Sequence, residues 1–456
     1  MSGAVAVLDI GKTNVKLALF DAAGALLWER STPNKVLAGP PYPHADVEAI
    51  WTFLANALRD AGAAHEIGSI APTTHGCAAA LVDETGLVLP VLDYEFAGVE
   101  AIDAHYAAMR PPFAQTLSPK LPAGLNLGRQ IAWQMARFPQ AFARARHCLT
   151  YPQYWAWRLS GVAASEMTML GAHTDLWAPL ERRGSTLVDS LGMARLLPPL
   201  QPAWRRLGAI KPEIAAMTGL RDDVGVLCGV HDSNASLLPH LAARQPPFTI
   251  ISTGTWVILM AVGLGLERLS ESDDMLANVD IEGRPTACAR FMGGREYAAI
   301  VAGAAANPHE AALARMVSSG AMALPCFAGQ GGPFAARHGE IRGKVMQEDR
   351  PALATLYIAL MTDLMVTRLG ANAGDLIIEG SFAANWAFGA LLAALRADQR
   401  VLVGGDSSGT ARGAALLAQW PARSHALPES RAARPLDLTG LAEYRRAWML
   451  AIGEPH

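Results

Sequence analysis

Leu8-Asp9-Ile10-Gly11-Lys12-Thr13-Asn14-Val15-Lys16 decides how the chain begins to fold. It joins one apolar run, Ala4 to Leu8, to another, Val15 to Phe20, through the turn chemistry of Asp9 to Asn14. Gly11-Lys12-Thr13 invites a phosphate-loop reading, but G-x-x-x-x-G-K-[ST] needs glycine where Ala6 stands and a helix where Val15 to Phe20 has the pattern of a strand. What remains is a hairpin whose backbone N–H groups and Thr13 hydroxyl can face phosphate oxygens, with Asp9 placed to approach a metal ion. Turns of this composition are also ordinary structural hairpins. Asp21-Ala22-Ala23-Gly24 turns the chain again before Leu26-Leu27-Trp28, so the opening is a β-meander rather than a βαβ unit.

Working outward, Val47 to Ala61 repeats apolar residues at helical spacing, with Ile50, Phe53, Leu54 and Leu58 on one face, and Ile67 to Pro72 reads as a strand. From about Ile102 to Gly192 the pattern is mainly helical with breaks at prolines. Val224 to Val230 is an apolar run that ends at His231-Asp232-Ser233-Asn234, where a helix is expected to start, and Pro246-Pro247 marks a linker. Phe248 to Ser252, the turn Thr253-Gly254-Thr255 and Trp256 to Val262 then repeat the opening arrangement, which suggests an internal duplication. Asp375 to Glu379 is a further strand, Gly380-Ser381 a turn and Asn385 to Asp398 a helix. The expected organisation is α/β, with one lobe over 1–245, a second over 246–430 and a helical tail over 431–456.

Composition narrows the function. At about 100–200 residues per domain, 456 residues make two or three domains, each able to bury a core. Charged residues are 17% of the chain and the net charge is -3, which gives no electrostatic case for nucleic acid or an anionic membrane as partner. The five cysteines are scattered without C-x-x-C spacing and read as reduced thiols. Asp9 and Lys12 interrupt the first apolar stretch and no apolar run approaches about 18 residues, so a cytoplasmic protein without export signal or membrane span is expected.

The second hairpin has the same small and hydroxyl chemistry as the first, and Gly380-Ser381 lies at a strand-to-helix turn where free N–H groups could meet a nucleotide. The plain alternative is βα punctuation, with Ser381 or Asn385 as a helix cap. Asp232 has a similar alternative as an N-cap, and a single histidine after a strand, such as His75, serves structure as readily as binding.

Three such elements in this order resemble the FGGY carbohydrate kinases of the actin/hexokinase superfamily. Leu8 to Lys16 resembles the first phosphate motif, Ile251-Ser252-Thr253-Gly254-Thr255-Trp256 the second, and Ile377 to Trp386 the adenosine motif. Ser408 to Ala415 is similar to the segment that opens a late helix, and Tyr154 to Gly161 to a segment of the first lobe. Gly229-Val230-His231-Asp232-Ser233-Asn234-Ala235 stands in the place of the catalytic-base segment, with a His-Asp pair like that of the rhamnulokinase and fuculokinase branches. Pro72-Thr73-Thr74-His75-Gly76 resembles the sugar-binding segment.

The resemblance implies two ribonuclease H-like lobes, each a mixed sheet flanked by helices, with a cleft between them. It further implies ATP and Mg²⁺ as cofactors and a small sugar as substrate, with a 6-deoxy-ketohexose such as L-rhamnulose or L-fuculose favoured. Asp232 is then the general base, as phosphoryl transfer to a hydroxyl requires, and Asp9 positions the metal, with Asp232 a second metal contact through water. Thr74, His75, Gly76 and His231 are the implied sugar contacts. Gly11, Lys12, Thr13, Asn14, Lys16, Thr253, Gly254, Thr255, Gly380, Ser381 and Asn385 are the implied nucleotide contacts.

Two residues depart from the pattern: Gly380 stands alone between Glu379 and Ser381 where relatives carry consecutive glycines, and Lys12 replaces a small residue. The Lys12 charge can pair with a phosphate or face solvent. A xylulose, ribulose or polyol kinase, an inactive regulator on the same fold, and an actin-like or chaperone-like ATPase are the alternative readings, and a homodimer is left open.

Overall fold

The structure is a computed structural model and describes residues 3–303, 307–405, 409–422 and 428–454. The chain forms two compact units. The first contains residues 1–243 together with 277–285 and 408–427; the second contains 244–276, 286–407 and 428–456. The change of unit after Ala243 lies beside Pro246-Pro247, while two later segments return to the first unit, an arrangement that no single cut in the sequence expresses.

The first unit is built on Ala4–Ile10 (β1), Asn14–Phe20 (β2), Leu26–Pro33 (β3), helix Val47–Ala64 (α1), Ile67–Thr74 (β4), helices Tyr151–Ser160 (α2) and Met167–Leu170 (α3), Arg206–Ala209 (β5), Gly225–Leu227 (β6), Val230–His231 (β7) and helix Asp232–Ala243 (α4). The sheet order is β5-β6-β4-β1-β2-β3, with β7 also pairing to β4. Strands β1, β2 and β3 form an antiparallel meander, while β4 runs parallel to β1 and β6 parallel to β4. Alternation explains why β1 sits in the middle: Ala4, Ala6, Leu8 and Ile10 pack with Leu54, Leu58 and Ala61 of α1 on one face, and Val5 and Val7 pack with Leu238, Ala414 and Trp420 on the other. A strand covered on both faces reads as a continuous apolar run, as Ala4 to Leu8 does.

A second sheet with its helices repeats the plan: Phe248–Thr253 (β8), Val257–Val262 (β9), Leu276–Val279 (β10), Pro285–Phe291 (β11), helix Gly293–Val301 (α5), helix Arg350–Leu369 (α6), Asp375–Gly380 (β12), helix Trp386–Leu395 (α7), Val401–Gly404 (β13), Ser430–Ala432 (β14) and helix Leu441–Ala451 (α8), all in the second unit except residues 277–279 of β10 and Pro285 of β11. Its order is β10-β11-β9-β8-β12-β13-β14. Strands β11, β9 and β8 are antiparallel neighbours and β12 and β13 run parallel beyond β8, the same sequence of directions as β3, β2, β1, β4 and β6. Shared strand order gives the duplication a structural form that the residues alone only suggest.

Some local expectations shift. A turn of 3₁₀ helix, Ser381–Ala384, separates β12 from α7, so Gly380-Ser381 does not open the helix directly. The small-residue stretch forms helix Gly409–Ala415, and its first residue, Ser408, lies outside the described residues. The tail contributes α8, whose Leu441, Tyr444 and Trp448 join the core of the second unit. Among the described residues one helix, Gln347–Leu369, is long and apolar enough to cross a membrane, but 89% of its apolar window is buried within the protein. It is a core helix.

Candidate active site

Register brings the first site together. Asp9 and Ile10 lie opposite Thr73 and Thr74 across the β1–β4 pair, and Val230 and His231 lie opposite the same two threonines across β4–β7. The carboxyl ends of three neighbouring strands therefore present Asp9, then Thr74-His75-Gly76, then His231-Asp232. Ligands of open α/β sheets bind at this end.

The side chains are coupled. His231 packs so closely on Gly76 that a Cβ there would come within 2.7 Å of Nε2, which makes glycine the residue that admits the ring. His231 Nε2 lies 3.3 Å from Asp232 Oδ1, and Asn234 Nδ2 lies 3.5 Å from the other ring nitrogen. Oδ1 also accepts from the Ser233 N–H at 2.6 Å and from the Ser233 hydroxyl at 3.3 Å, whereas an N-cap carboxylate takes N–H groups two or three residues on. These donors converge on one oxygen, Oδ1.

Electrostatics follow from burial. The Asp9 carboxyl is pushed up to about 6, first by burial and then by the negative charge of Asp232, with Lys16 opposing. Lys16 itself lies 3.8 Å from Glu29. Burial lowers the pKa of both His75 and His231, with Asp232 pulling the other way, so both rings are neutral at pH 7. His75 Nδ1–H donates to the Gly76 carbonyl at 2.8 Å, which leaves Nε2 as an acceptor. Its ring lies between Tyr94 and Tyr151, at centroid distances of 5.5 and 5.3 Å.

Residues absent from the sequence reading complete this end. Lys12 is bonded to Asp93, lies 3.3 Å from Glu95 and sits 4.7 Å over the Tyr94 ring. Its charge is therefore neither free for solvent nor unpaired. A cavity of about 20 Å³, room for about one water, is lined by Lys12, His75, Asp93 and Tyr151 among others. A larger one of about 340 Å³, between 62–67 and 219–221, holds none of the candidate residues. Asp93 and Tyr94 follow the short apolar run Val91-Leu92, a pattern too brief to mark them.

The first hairpin turn closes with the Gly11 N–H donating to the Asn14 carbonyl at 2.9 Å, and Thr13 and Asn14 are exposed. Asn34 braces it through Nδ2 to the Gly11 carbonyl at 2.7 Å.

In the second unit, Thr253 lies opposite Gly380 at the ends of β8 and β12. The Thr253 hydroxyl donates to the Glu379 carbonyl at 2.5 Å and accepts from the Phe382 N–H at 2.9 Å, so it ties the two strand ends. Gly380 has φ +84°, and a Cβ would come within 2.0 Å of the Thr253 carbonyl oxygen, which only glycine tolerates. Gly254 differs: its φ is not in the left-handed region and a Cβ would meet nothing within 4 Å. Beside it Thr255 is exposed, and the Ser381 hydroxyl is 3.4 Å from the Thr253 carbonyl. Asn385 is buried, caps α7 by accepting from the Ala387 N–H at 3.2 Å, and donates to Thr355 at 3.0 Å.

Known proteins share this architecture. The model of the FGGY family of carbohydrate kinases, N-terminal domain, matches residues 4–239, and that of carbohydrate kinase FGGY, C-terminal domain, matches 245–426. A carbohydrate kinase from Novosphingobium aromaticivorans is 34% identical with a TM-score of 0.88, over 98% of this chain and 100% of that one. L-fuculokinase of Escherichia coli K12 is 28% identical over 56% of this chain and 56% of its own. L-xylulose/3-keto-L-gulonate kinase of the same organism is 24% identical over 57% and 54%. The chain thus spans about half the length of the curated relatives it matches. Family models meeting almost end to end across both sheets, and a full-length structural relative above 30% identity, establish that this chain belongs to the FGGY family of carbohydrate kinases.

Proposed function

We propose that this chain transfers the terminal phosphoryl group of ATP to a hydroxyl of a small ketose, with Asp232 as general base. The observation that carries the reading is the Asp232 carboxylate: His231 and Ser233 hold Oδ1, so Oδ2 is the oxygen available to a substrate hydroxyl. That hydroxyl donates to Oδ2, and as its oxygen attacks the γ-phosphorus of ATP the bond from that phosphorus to the bridging oxygen breaks, ADP leaves, the proton passes to Oδ2 and Asp232 becomes neutral. The neutral ring of His75 offers Nε2 to a second sugar hydroxyl, and the ring of Tyr94 beside it makes a wall for an apolar edge.

Asp9 and Asp232 fit a divalent cation. Among the described residues no group of three or more His, Cys, Asp or Glu side chains could cage a metal, and Mg²⁺ characteristically uses one or two carboxylates with water and substrate phosphates. Burial first and repulsion from Asp232 second raise the Asp9 pKa, and both penalties on its charged form are ones that a bound cation would relieve. When bound, Mg²⁺ would neutralise charge on the phosphates. The exposed Thr13 and Asn14 of the first turn and Thr255 of the second are the proposed phosphate contacts, through the Thr13 and Thr255 hydroxyls and N–H groups other than those of Gly11 and Gly254, which close their own turns onto the carbonyls of Asn14 and Trp256. Thr253 and Asn385 serve by shaping that turn and α7, since their polar atoms are engaged.

The favoured substrate is a 6-deoxy-ketohexose, supported by the His231-Asp232 pair and by the likeness to L-fuculokinase. Five buried cysteines, none in a disulfide, suit the reducing, ATP-supplying cytoplasm as its location. A coupled assay with ATP and a ketose panel tests the reading: a 6-deoxy-ketohexose should give the highest kcat/KM, with cross-reaction because one methyl group in an apolar pocket discriminates by only about 1–3 kcal/mol. Equal or better turnover of xylulose or glycerol would overturn the substrate, and ATP hydrolysis indifferent to every sugar would overturn the kinase.

A further inference from the structure

The junction between β7 and α4 carries His231 and Asp232, and the groups that hold it come from far along the chain. On one side β7 pairs with β4. On the other, the Thr168 hydroxyl accepts the His231 N–H at 3.1 Å and donates its own hydrogen to Glu166 Oε2 at 2.6 Å. Both Glu166 and Thr168 are fully buried. Oε2 also accepts from the N–H groups of Thr168 at 2.9 Å and Met169 at 3.2 Å, which makes Glu166 the N-cap of α3. Just upstream, Gln153 Nε2 donates to the carbonyls of Cys228 at 3.0 Å and Gly229 at 3.2 Å. Gly229 has φ +90°, and a Cβ would meet the Pro72 carbonyl oxygen at 2.6 Å.

A four-residue helix does not need this carboxylate. Ser, Thr, Asp and Asn cap helices with shorter side chains, and burial of a glutamate is costly enough here to push its carboxyl up to about 7. What the longer side chain adds is reach to the Thr168 hydroxyl: a hydroxyl has one hydrogen, and committing it to Glu166 turns a lone pair toward the His231 N–H. Gln153 grips two preceding carbonyls, so the backbone from Cys228 to His231 is held from both flanks. Gln153 stands immediately before Tyr154 to Gly161, a segment to which the sequence assigns no role of its own.

We propose that Glu166 and Thr168 are positioning residues for Asp232: the Glu166 carboxylate orients the Thr168 hydroxyl, which fixes the His231 peptide and thereby aims the adjacent carboxylate. The inference rests on reading Asp232 as the base. Small errors in aim are expensive in rate, a displacement of about 1 Å costing up to about 100-fold.

The test is kcat and ketose KM, with thermal midpoints, for Thr168→Val, Thr168→Ser and Glu166→Met, each made in the wild-type and Asp232→Asn backgrounds. Thr168→Val keeps the shape without the hydroxyl and should lower kcat about 10–100-fold while KM moves much less; Thr168→Ser should restore most of the rate. In the Asp232→Asn background Thr168→Val should cause no further fall, since the group it aims is gone. A folded Thr168→Val enzyme with normal kcat and a lowered midpoint makes the contact purely structural, and an equal fall in both backgrounds shows that it acts elsewhere; either overturns the proposal. Should Thr168→Val fail to fold, Glu166→Met, of similar length but without an acceptor oxygen, decides by the same criteria with a smaller expected loss. Asp232→Asn with near-normal kcat would sink the base itself and the aiming role with it, whereas an impaired Asp232→Asn beside an unimpaired Thr168→Val sinks only the positioning role.

Discussion

Asp232→Asn separates a catalytic base from a helix-terminal side chain at the same atom positions. The amide oxygen can keep the Ser233 N–H bond that Oδ1 makes at 2.6 Å, so folding and sugar binding should change little. The nitrogen then stands where Oδ2 faces the substrate and cannot take a proton. A general base is worth about 10²–10⁴ in rate, which at about 1.4 kcal/mol per tenfold is about 3–5.5 kcal/mol of transition-state stabilisation. A second readout comes from Asp9. Burial first and the negative charge of Asp232 second push its carboxyl up to about 6, so removing that charge should shift its titration to lower pH while the effect of burial remains. The sign for stability follows: a folded pKa above the ordinary 3.8 means that the native state holds the proton more tightly, so this group's contribution falls as pH rises from about 3.8 to about 6. Asp232→Asn should lessen that fall, and its thermal midpoint at pH 7 should not drop by reason of Asp9. The assay is kcat, sugar affinity by calorimetry and thermal midpoints from pH 4 to 7. A folded variant with near-normal kcat refutes the reasoning outright, and an unchanged Asp9 titration would show that the two carboxylates are not electrically coupled.

Two further expectations follow from the geometry. Gly254→Val should leave the thermal midpoint nearly unchanged, because its backbone is unstrained and a Cβ meets open space, yet weaken ATP binding; Gly380→Ala, at φ +84° and with Thr253 O within 2.0 Å of the new Cβ, should destabilise by at least about 1–3 kcal/mol. Calorimetric ATP affinity alongside unfolding separates the pair, and unchanged ATP affinity in Gly254→Val would make the turn structural. The wild-type kcat/KM for ATP–Mg²⁺ should show an acid limb near pH 6, rising with pH as Asp9 ionises, and Asp9→Asn should abolish that limb together with most activity.

Much of the frame was legible locally. The β1–β2 hairpin, the second hairpin from Phe248 to Val262, and the start of α4 at Asp232 come from alternation, turn residues and apolar runs that occupy a few neighbouring positions. Asn385 was readable as a cap for the same reason, since a cap acts within two residues of itself. The 3₁₀ turn after β12 was less legible, because its bonds run across to Thr253 of another strand.

By itself, then, the sequence determined which residues could bear charge or turn the chain at each strand end, and that Asp9, His75 and Asp232 each follow a run of strand character; these properties depend on neighbours in sequence. Tertiary structure alone decided their partners. Lys12 is claimed by Asp93, 81 residues away, the Thr253 hydroxyl by Glu379, 126 residues away, and the His231 peptide by Thr168, 63 residues away. No periodicity encodes such pairings, because a buried polar group takes whatever partner packing brings within hydrogen-bonding distance, and leaving it without one costs about 1–3 kcal/mol.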